Sequence, residues 1–557
     1  MTRMLRLDRR RFLVQSALTG AAVLVARRHA WAGPSDPVVD TASGKIRGAA
    51  TDGINAFKGV PYGASTAGAN RFMAPQKPAP WSGVREAVDW AGHAPQAFAG
   101  RRRPEVAALS GTPDKVPVSE DCLTLNLWTP GLDVGKRPVM VWYHGGGFSY
   151  GSANTPRTDG TNLARRGDVV VVTVNHRLNI FGFLDLTELG GEEFAHSANA
   201  GVLDLVAALE WVRGNVANFG GDPGNVMIFG QSGGGGKVSA LLAMPAAKGL
   251  FQRAIVMSGA GIRMAEHERA TKLANAVLGE VGLTANELDK LQALPVERLL
   301  AAIEPAQKKL GPAPFKLLDR YGFGPVVEGH DLPRHPFDPA ATDLSDEVPV
   351  MVGGTKDENA IFLAPDDTVW NRTLGEDELK TRVAEVAGGD TDAVLALYRR
   401  MHPGMNPAEL LIEITTDARF WVRSVLLAER KAAKGKAPVY MYSFNWETPV
   451  FDGKLMAQHA LDVPFVFDTL DRTGITGHSP AAPAIAAVES ATWAAFARSG
   501  TPDNRAIPHW PAYTPADRAT MMIDTEWREL LVGNLILCEI DAELAVKAAA
   551  NYRFLRS

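Results

Sequence analysis

The chain has 557 residues, 46% of them apolar and 22% charged, enough for a large core, and no long polar or repetitive tract divides it. Its formal charge of −4 becomes −10 if residues 1–32, with seven arginines and one aspartate, are removed; such a field opposes phosphate backbones and argues against nucleic-acid binding. Two cysteines, Cys122 and Cys538, exclude a disulfide framework.

In chain order, DRRRFLV at 8–14 resembles a twin-arginine export signal, and the apolar stretch 13–26 follows it. Its fourteen residues fall short of the roughly 20 that span a bilayer as a helix. The Ala-Trp-Ala at 30–32 is a small-x-small cleavage site, so residues 1–32 read as a removed signal and the mature protein as exported, periplasmic or secreted. Residues 33–557 are expected to form one enlarged domain. Arg101, Arg102 and Arg103 form the one basic cluster beyond the signal; they read as a solvated loop, with an anionic substrate at the pocket mouth as the alternative.

Next comes PVMVWYHGGGF, residues 138–148, a strand running into three glycines where backbone amides can turn toward one point. Gly146 and Gly147 are candidate oxyanion donors, and His144 reads as a structural residue that shapes the loop. The stretch FGGDPGNVMIFGQSGG, residues 219–234, then sets Ser232 between a buried strand at 226–229 and a helix from Val238 onward. A glycine-flanked turn of this kind lifts the hydroxyl out of the sheet and aims the amide of Gly233 at a developing oxyanion, so Ser232 is a candidate nucleophile. Phosphate-binding readings of the same glycines fail on spacing: a Walker loop ending at Lys237 needs glycine where Gln231 stands, and a dinucleotide fingerprint needs glycine or alanine where Val238 stands.

A serine nucleophile also needs a base and an orienting carboxylate. VPVMVGGTKDE, residues 348–358, reads as another buried strand with Asp357 and Glu358 emerging past its C-terminal end, where open parallel sheets collect active groups. Either carboxylate fits. Of the histidines that follow, His402, His459, His478 and His509, only His459 has a persuasive setting, in AQHALDVPFVF shortly after the strand-like run PVYMYSF at 438–444. Strand candidates at 139–143, 169–174, 226–229, 254–257 and 348–352 are separated by helical patterns, predicting an α/β fold with a mostly parallel sheet covered by helices on both faces. Helix-rich stretches at 265–310 and 379–427 are expected to roof the site as insertions, and neither has metal-ligand spacing. No cofactor or metal is expected.

These residues resemble the type-B carboxylesterases, the α/β-hydrolase family of the bacterial para-nitrobenzyl esterases and the cholinesterases. Besides the serine segment, the resemblance rests on FKGVPY at 57–62, RFMAP at 71–75, EDCLTLN at 120–126 and NFGGDP at 218–223, in order along nearly the whole mature chain. It implies an α/β-hydrolase fold and a serine hydrolase of small-molecule carboxylic esters. The implied site is Ser232 as nucleophile, His459 as base and Glu358, rather than Asp357, as acid, with Gly146, Gly147 and Gly233 as oxyanion donors.

Three departures qualify it. Gln231 stands where the family commonly carries glutamate; with Asp462 matching a second family carboxylate, an amide hydrogen bond from Gln231 to Asp462 is the expected substitute. Ala94 stands where the family's partner for Cys122 would be, so two unpaired thiols are expected. The loop between Ala97 and Val118 lacks the tryptophan that reads choline in cholinesterases, so choline selectivity is not implied. The rival classes are a non-catalytic binding protein on this fold, against which an intact triad argues, and an amidase or carbamate hydrolase, which leaving-group preference would separate.

Overall fold

The computed structural model describes residues 36–97, 103–109, 116–311, 322–526 and 528–530. Its centre is an eleven-stranded sheet. In chain order the strands are β1 (Ala49–Thr51), β2 (Ile54–Pro61), β3 (Thr124–Thr129), β4 (Arg137–Tyr143), β5 (Val170–Val174), β6 (Gly221–Gln231), β7 (Arg253–Met257), β8 (Val350–Thr355), β9 (Val439–Phe444), β10 (Thr520–Ile523) and β11 (Arg528–Leu530). Across the sheet the order is β11-β10-β9-β8-β7-β6-β4-β5-β3-β2-β1. Pairing is parallel from β10 through β5 and antiparallel at both edges. The five strands expected from sequence all occur within a residue or two of the anticipated ends, except that β6 begins five residues earlier, at Gly221, and β8 runs three residues further, to Thr355.

The central strands are apolar without alternation because both faces are covered. Val139, Val141, Val172 and Ile228 face a core built with α1 (Ala200–Asn215) and α2 (Gly233–Leu241). Met140, Trp142, Met227, Phe229 and Met351 face the opposite core. Of the helical stretches expected over the site, α3 (His267–Val281) and α4 (Val296–Lys309) bury Leu273, Val277 and Leu299 in the α1 core. The second stretch, α5 (Glu376–Ala387), α6 (Thr391–Met401) and α7 (Pro407–Thr416), has its own small core around Leu379, Leu397 and Leu411. A π-helical turn, Asp417–Trp421, joins it to α8 (Val422–Ala432), which returns to the α1 core through Val425 and Leu427. The last long helix, α9 (Ala482–Ser499), covers the opposite face with Ile485, Trp493 and Phe496.

Several motifs that carried the family resemblance are structural. Arg71 of RFMAP forms a two-pronged ion pair with Glu120 of EDCLTLN, at 2.6 and 2.7 Å, and also caps the carbonyls of Gln292 and Leu294. Asn126 accepts the Gly59 amide at 3.0 Å and donates to Asn154 and Thr173, fixing β3 against its neighbours. Cys122 is buried and unpaired beside this network, burial and the charge of Asp204 pushing its thiol far above the ordinary range. Cys538 and residues 1–32, expected from sequence to be a signal, lie outside the described residues. No helix among the described residues is long and apolar enough to cross a membrane.

Beneath the start of α1, Arg177 and Asp204 form a fully buried pair, Nη2 to Oδ1 at 2.6 Å and Nε to Oδ2 at 2.9 Å, with the Arg177 amide on the same carboxylate. Removing one partner strands a charge away from water. Asp204→Ala should therefore cost about 3–5 kcal/mol of stability, read by chemical unfolding; a loss below about 1 kcal/mol would show that the guanidinium finds other solvation.

Candidate active site

Ser232 sits between the last residue of β6 and the first of α2. Its backbone has φ 60° and ψ −125°, a conformation costly for a residue with a side chain. The strain is held from both sides: the Ser232 amide donates to Met257 O at 2.8 Å, and its carbonyl accepts from Gly236 at 3.1 Å. The helix begins at Gly233, five residues earlier than expected from sequence. The glycines of its first turn are needed because other backbone lies against them: a Cβ on Gly233 would lie 2.1 Å from the Gly147 carbonyl oxygen. At Gly146, φ is 94° and a Cβ would lie 2.1 Å from Tyr150 O. The loop after β4 and the start of α2 are thus packed backbone to backbone beside the serine.

His144 turns away from Ser232. Its Nδ1 bonds the Gly145 carbonyl at 2.8 Å and its ring stacks on His176 at 5.1 Å, while burial and the nearby Lys237 hold it well below the usual imidazole range. Lys237, which in sequence mattered only to a rejected phosphate loop, is fully buried in α2. It donates to the His144 carbonyl at 2.7 Å and lies over the Phe148 ring at 5.7 Å, pinning the glycine loop at both ends. Burial pushes its amine down to about 7.

Glu358 follows β8 and is fully buried. Its Oε1 accepts the Thr355 amide at 2.9 Å and its Oε2 meets His459 Nδ1 in a short contact. Asp357 is separated from the ring and braces the base's loop instead, accepting the Ala457 amide on Oδ2 at 3.1 Å; burial raises it to about 6. The structure thus divides the two carboxylates that sequence spacing left equivalent. The His459 ring packs against Phe362 and Phe420, at 5.0 and 4.9 Å, and the two phenyl rings stack on each other at 6.3 Å. Arg419 covers the two phenyl rings at 4.3 and 5.0 Å. Phe420 and Arg419 belong to the π-helical turn, so the second helical insertion does reach the base. Neither was marked by any spacing in the sequence.

The remaining histidines have other partners: His402 pairs with Glu413 and the exposed His509 with Asp503, while His478 is exposed. Arg103 bonds the Ala364 carbonyl, pairs with Asp367 and lies over Trp370, which makes it a brace rather than a substrate contact; Arg101 and Arg102 lie outside the described residues.

The expected bond from Gln231 to Asp462 is not formed. Gln231 Nε2 lies 3.2 Å from His459 Nε2 and 3.4 Å from Nδ1, nearly equidistant, so the amide rests against the ring between the nitrogens. Asp462 instead accepts the Tyr442 hydroxyl at 3.1 Å. Burial, and then the charge of Glu358, raise Asp462 to about 7; Glu489, buried on α9, is pushed up by burial and by Asp462. The reason is packing: Asp462 faces Tyr442 behind Glu358, whereas Gln231 is at the ring. No hydrogen bond joins Ser232 Oγ to His459 in this geometry.

A serine in a strained strand-to-helix turn, with an imidazole–carboxylate pair delivered from two other strand ends, fits acyl transfer, and comparison with known proteins decides the family. The family model described as "Carboxylesterase family" matches residues 35–534. The chain belongs to this family. It is 37% identical to the para-nitrobenzyl esterase of Bacillus subtilis (strain 168) over 495 residues, 88% of this chain and 95% of that one. It is 34% identical to phenmedipham hydrolase of Pseudarthrobacter oxydans, covering 89% of this chain and 96% of that one. Its fold matches a Geobacillus stearothermophilus carboxylesterase structure with a TM-score of 0.76 at 37% identity, over 89% of this chain and 98% of the other. The protein is a carboxylic ester hydrolase of α/β-hydrolase fold, and the family implies small-molecule ester substrates.

Two properties of this carboxylesterase follow from the site. A carboxylate in place of the Gln231 amide would stand beside the imidazole and favour its protonated form. Gln231→Glu should therefore raise the acid-limb midpoint of the kcat/KM pH profile by about one unit; an unmoved profile would place the new carboxylate away from the ring.

Lys237 has its folded pKa below the ordinary value of 10.5, so between about pH 7 and 10.5 the unfolded chain binds more protons and stability rises with pH. With a limiting slope of about 1.4 kcal/mol per unit, wild type should gain about 2 kcal/mol over Lys237→Met between pH 7.5 and 9.5 in chemical unfolding. Parallel pH dependences would mean that the amine is charged in the fold.

Proposed function

We propose that the enzyme cleaves carboxylic esters through an acyl-enzyme on Ser232, with His459 as general base and Glu358 as its orienting acid. The observation that carries this reading is the pairing of the strained Ser232 turn with the buried Glu358–His459 contact. Glu358, acting on Nδ1, fixes the tautomer that leaves Nε2 to take the serine proton and stabilises the imidazolium that results. A small rotation of the Ser232 hydroxyl, or of the Gln231 amide away from the ring, would bring nucleophile and base together as substrate binds.

The attacked carbonyl oxygen would be received by the amides of Gly146, Gly147 and Gly233. Support for that comes from the backbone-to-backbone contact of Gly147 with Gly233, which sets both segments beside the serine hydroxyl. His459 then returns the proton to the leaving alcohol, and water repeats the attack to release the acid. Asp462 and Gln231 act on the base from outside, Asp462 through Glu358 and Gln231 at the ring. We also propose that residues 1–32 direct export by the twin-arginine route and are removed after Ala32, on the strength of the DRRRFLV run and the Ala-Trp-Ala site.

Residues 33–557 should hydrolyse short-chain para-nitrophenyl esters with a burst of para-nitrophenol equal to the active-site concentration when deacylation is slow. Ser232→Ala should lower turnover about a millionfold. Retention of more than about one per cent of activity by that variant would sink the nucleophile assignment.

A further inference from the structure

Away from the triad, a second set of side chains converges on the surface where the start of α1 meets the segment after a two-stranded pairing of Ala265–Glu266 with Val326–Val327. His196 precedes the 3-10 turn Ser197–Asn199 that leads into α1; His330 and Asp331 follow Val327. His196 Nδ1 lies 2.9 and 3.1 Å from the two oxygens of Asp331, and His330 Nδ1 lies 3.0 Å from Oδ1 of the same carboxylate. One donor atom from each of the three residues lies within 4.8 Å of the others.

The scaffold beneath is rigid. Asn199 clasps Val326 by both backbone groups, at 2.9 Å and 2.8 Å, and donates to Glu328 Oε2 at 2.8 Å. Glu328 Oε1 gathers the backbone amides of His330, Asp331 and Leu332, folding the turn so that His330 and Asp331 are presented together. The carboxylate is sheltered and the rings are not: the Asp331 side chain is 6% exposed, that of His196 39% and that of His330 72%.

We propose that His196, His330 and Asp331 form a binding site for a divalent transition-metal ion of the zinc type, which clips the start of α1 to the 328–332 turn. Two imidazoles and one carboxylate suit zinc and its first-row neighbours, whereas magnesium and calcium want oxygen donors. Metal–ligand bonds of about 2.0–2.2 Å in a tetrahedron place donors about 3.3 Å apart, so the two imidazole–carboxylate separations need to open by a few tenths of an ångström, and the two imidazole donors, now within 4.8 Å, need to stand at that same spacing. The exposed His330 ring can turn to allow this, and water completes the fourth position on the open side. The ligands come from positions 135 apart in sequence, so no spacing motif marks them. The clip touches none of the reacting groups, and its effect is on stability.

Isothermal titration of tag-free residues 33–557 with Zn²⁺ should show one saturable site with a Kd of about 10 µM or tighter, not displaced by excess Mg²⁺. Saturating zinc should raise the Tm by about 2 °C or more. Co²⁺ should give the visible absorption of a low-coordinate nitrogen–oxygen site. His330→Gln, at an exposed position that does not threaten folding, and Asp331→Asn should each weaken binding at least about tenfold and abolish the Tm rise. His509→Gln, changing an exposed histidine with another partner, should bind as wild type, and ester turnover should be unchanged in His330→Gln. Absence of a saturable site, or zinc binding undiminished in His330→Gln and Asp331→Asn, would overturn the proposal.

Discussion

The site depends on the contact between two stretches of bare backbone, the glycine loop after β4 and the first turn of α2. A Cβ at Gly233 would lie 2.1 Å from the Gly147 carbonyl oxygen, so no side chain can stand between them. That closeness forces Ser232 into its strained turn, and it brings together the amides proposed to receive the oxyanion. The strain is affordable because Ser232 is tied to Met257 and Gly236 by backbone bonds, and because β6 is held between β4 and β7 in the middle of the sheet. The long apolar strands and the covering helices serve to keep this one approach fixed.

Around that contact the protein buries several ionisable groups. Lys237 grips the carbonyl of His144 from within α2, and Arg177 with Asp204 locks the start of α1. Behind the acid, Asp462 and Glu489 are both pushed toward the neutral form by burial. Asp462 faces Tyr442, and Glu358 is the carboxylate that faces His459. The low-dielectric interior that makes these groups costly is what makes the Glu358–His459 contact strong.

The base is held as much by aromatic packing as by its carboxylate. Phe362 comes from the segment after β8 and Phe420 from a π-helical turn in the second insertion, and Arg419 covers both rings. A widened helical turn is a common way to swing one side chain toward a functional group, and here it turns Phe420 onto His459. The insertion therefore contributes a wall of the site.

The sequence by itself determined the parallel centre of the sheet, five of its strands, and singled out Ser232, Glu358 and His459 as candidates. Unbroken β-branched runs ending in glycine-rich turns can only be strands covered on both faces, and a serine framed by glycines at such an end has one economical geometry. A serine nucleophile also called for a histidine and a carboxylate to serve it. Tertiary structure alone decided which groups meet. Asp357 and Glu358 are adjacent in sequence, yet successive residues point apart, and only packing sends Glu358 to the ring and Asp357 to the Ala457 amide. Gln231 was expected at Asp462 and lies at His459 instead, and the partner of Asp462 is the Tyr442 hydroxyl. Lys237, Phe420 and the His196–His330–Asp331 cluster carry no local signal: each acts on residues far away in the chain, and a linear pattern records periodicity and turns but not which distant side chains a fold brings within a few ångströms.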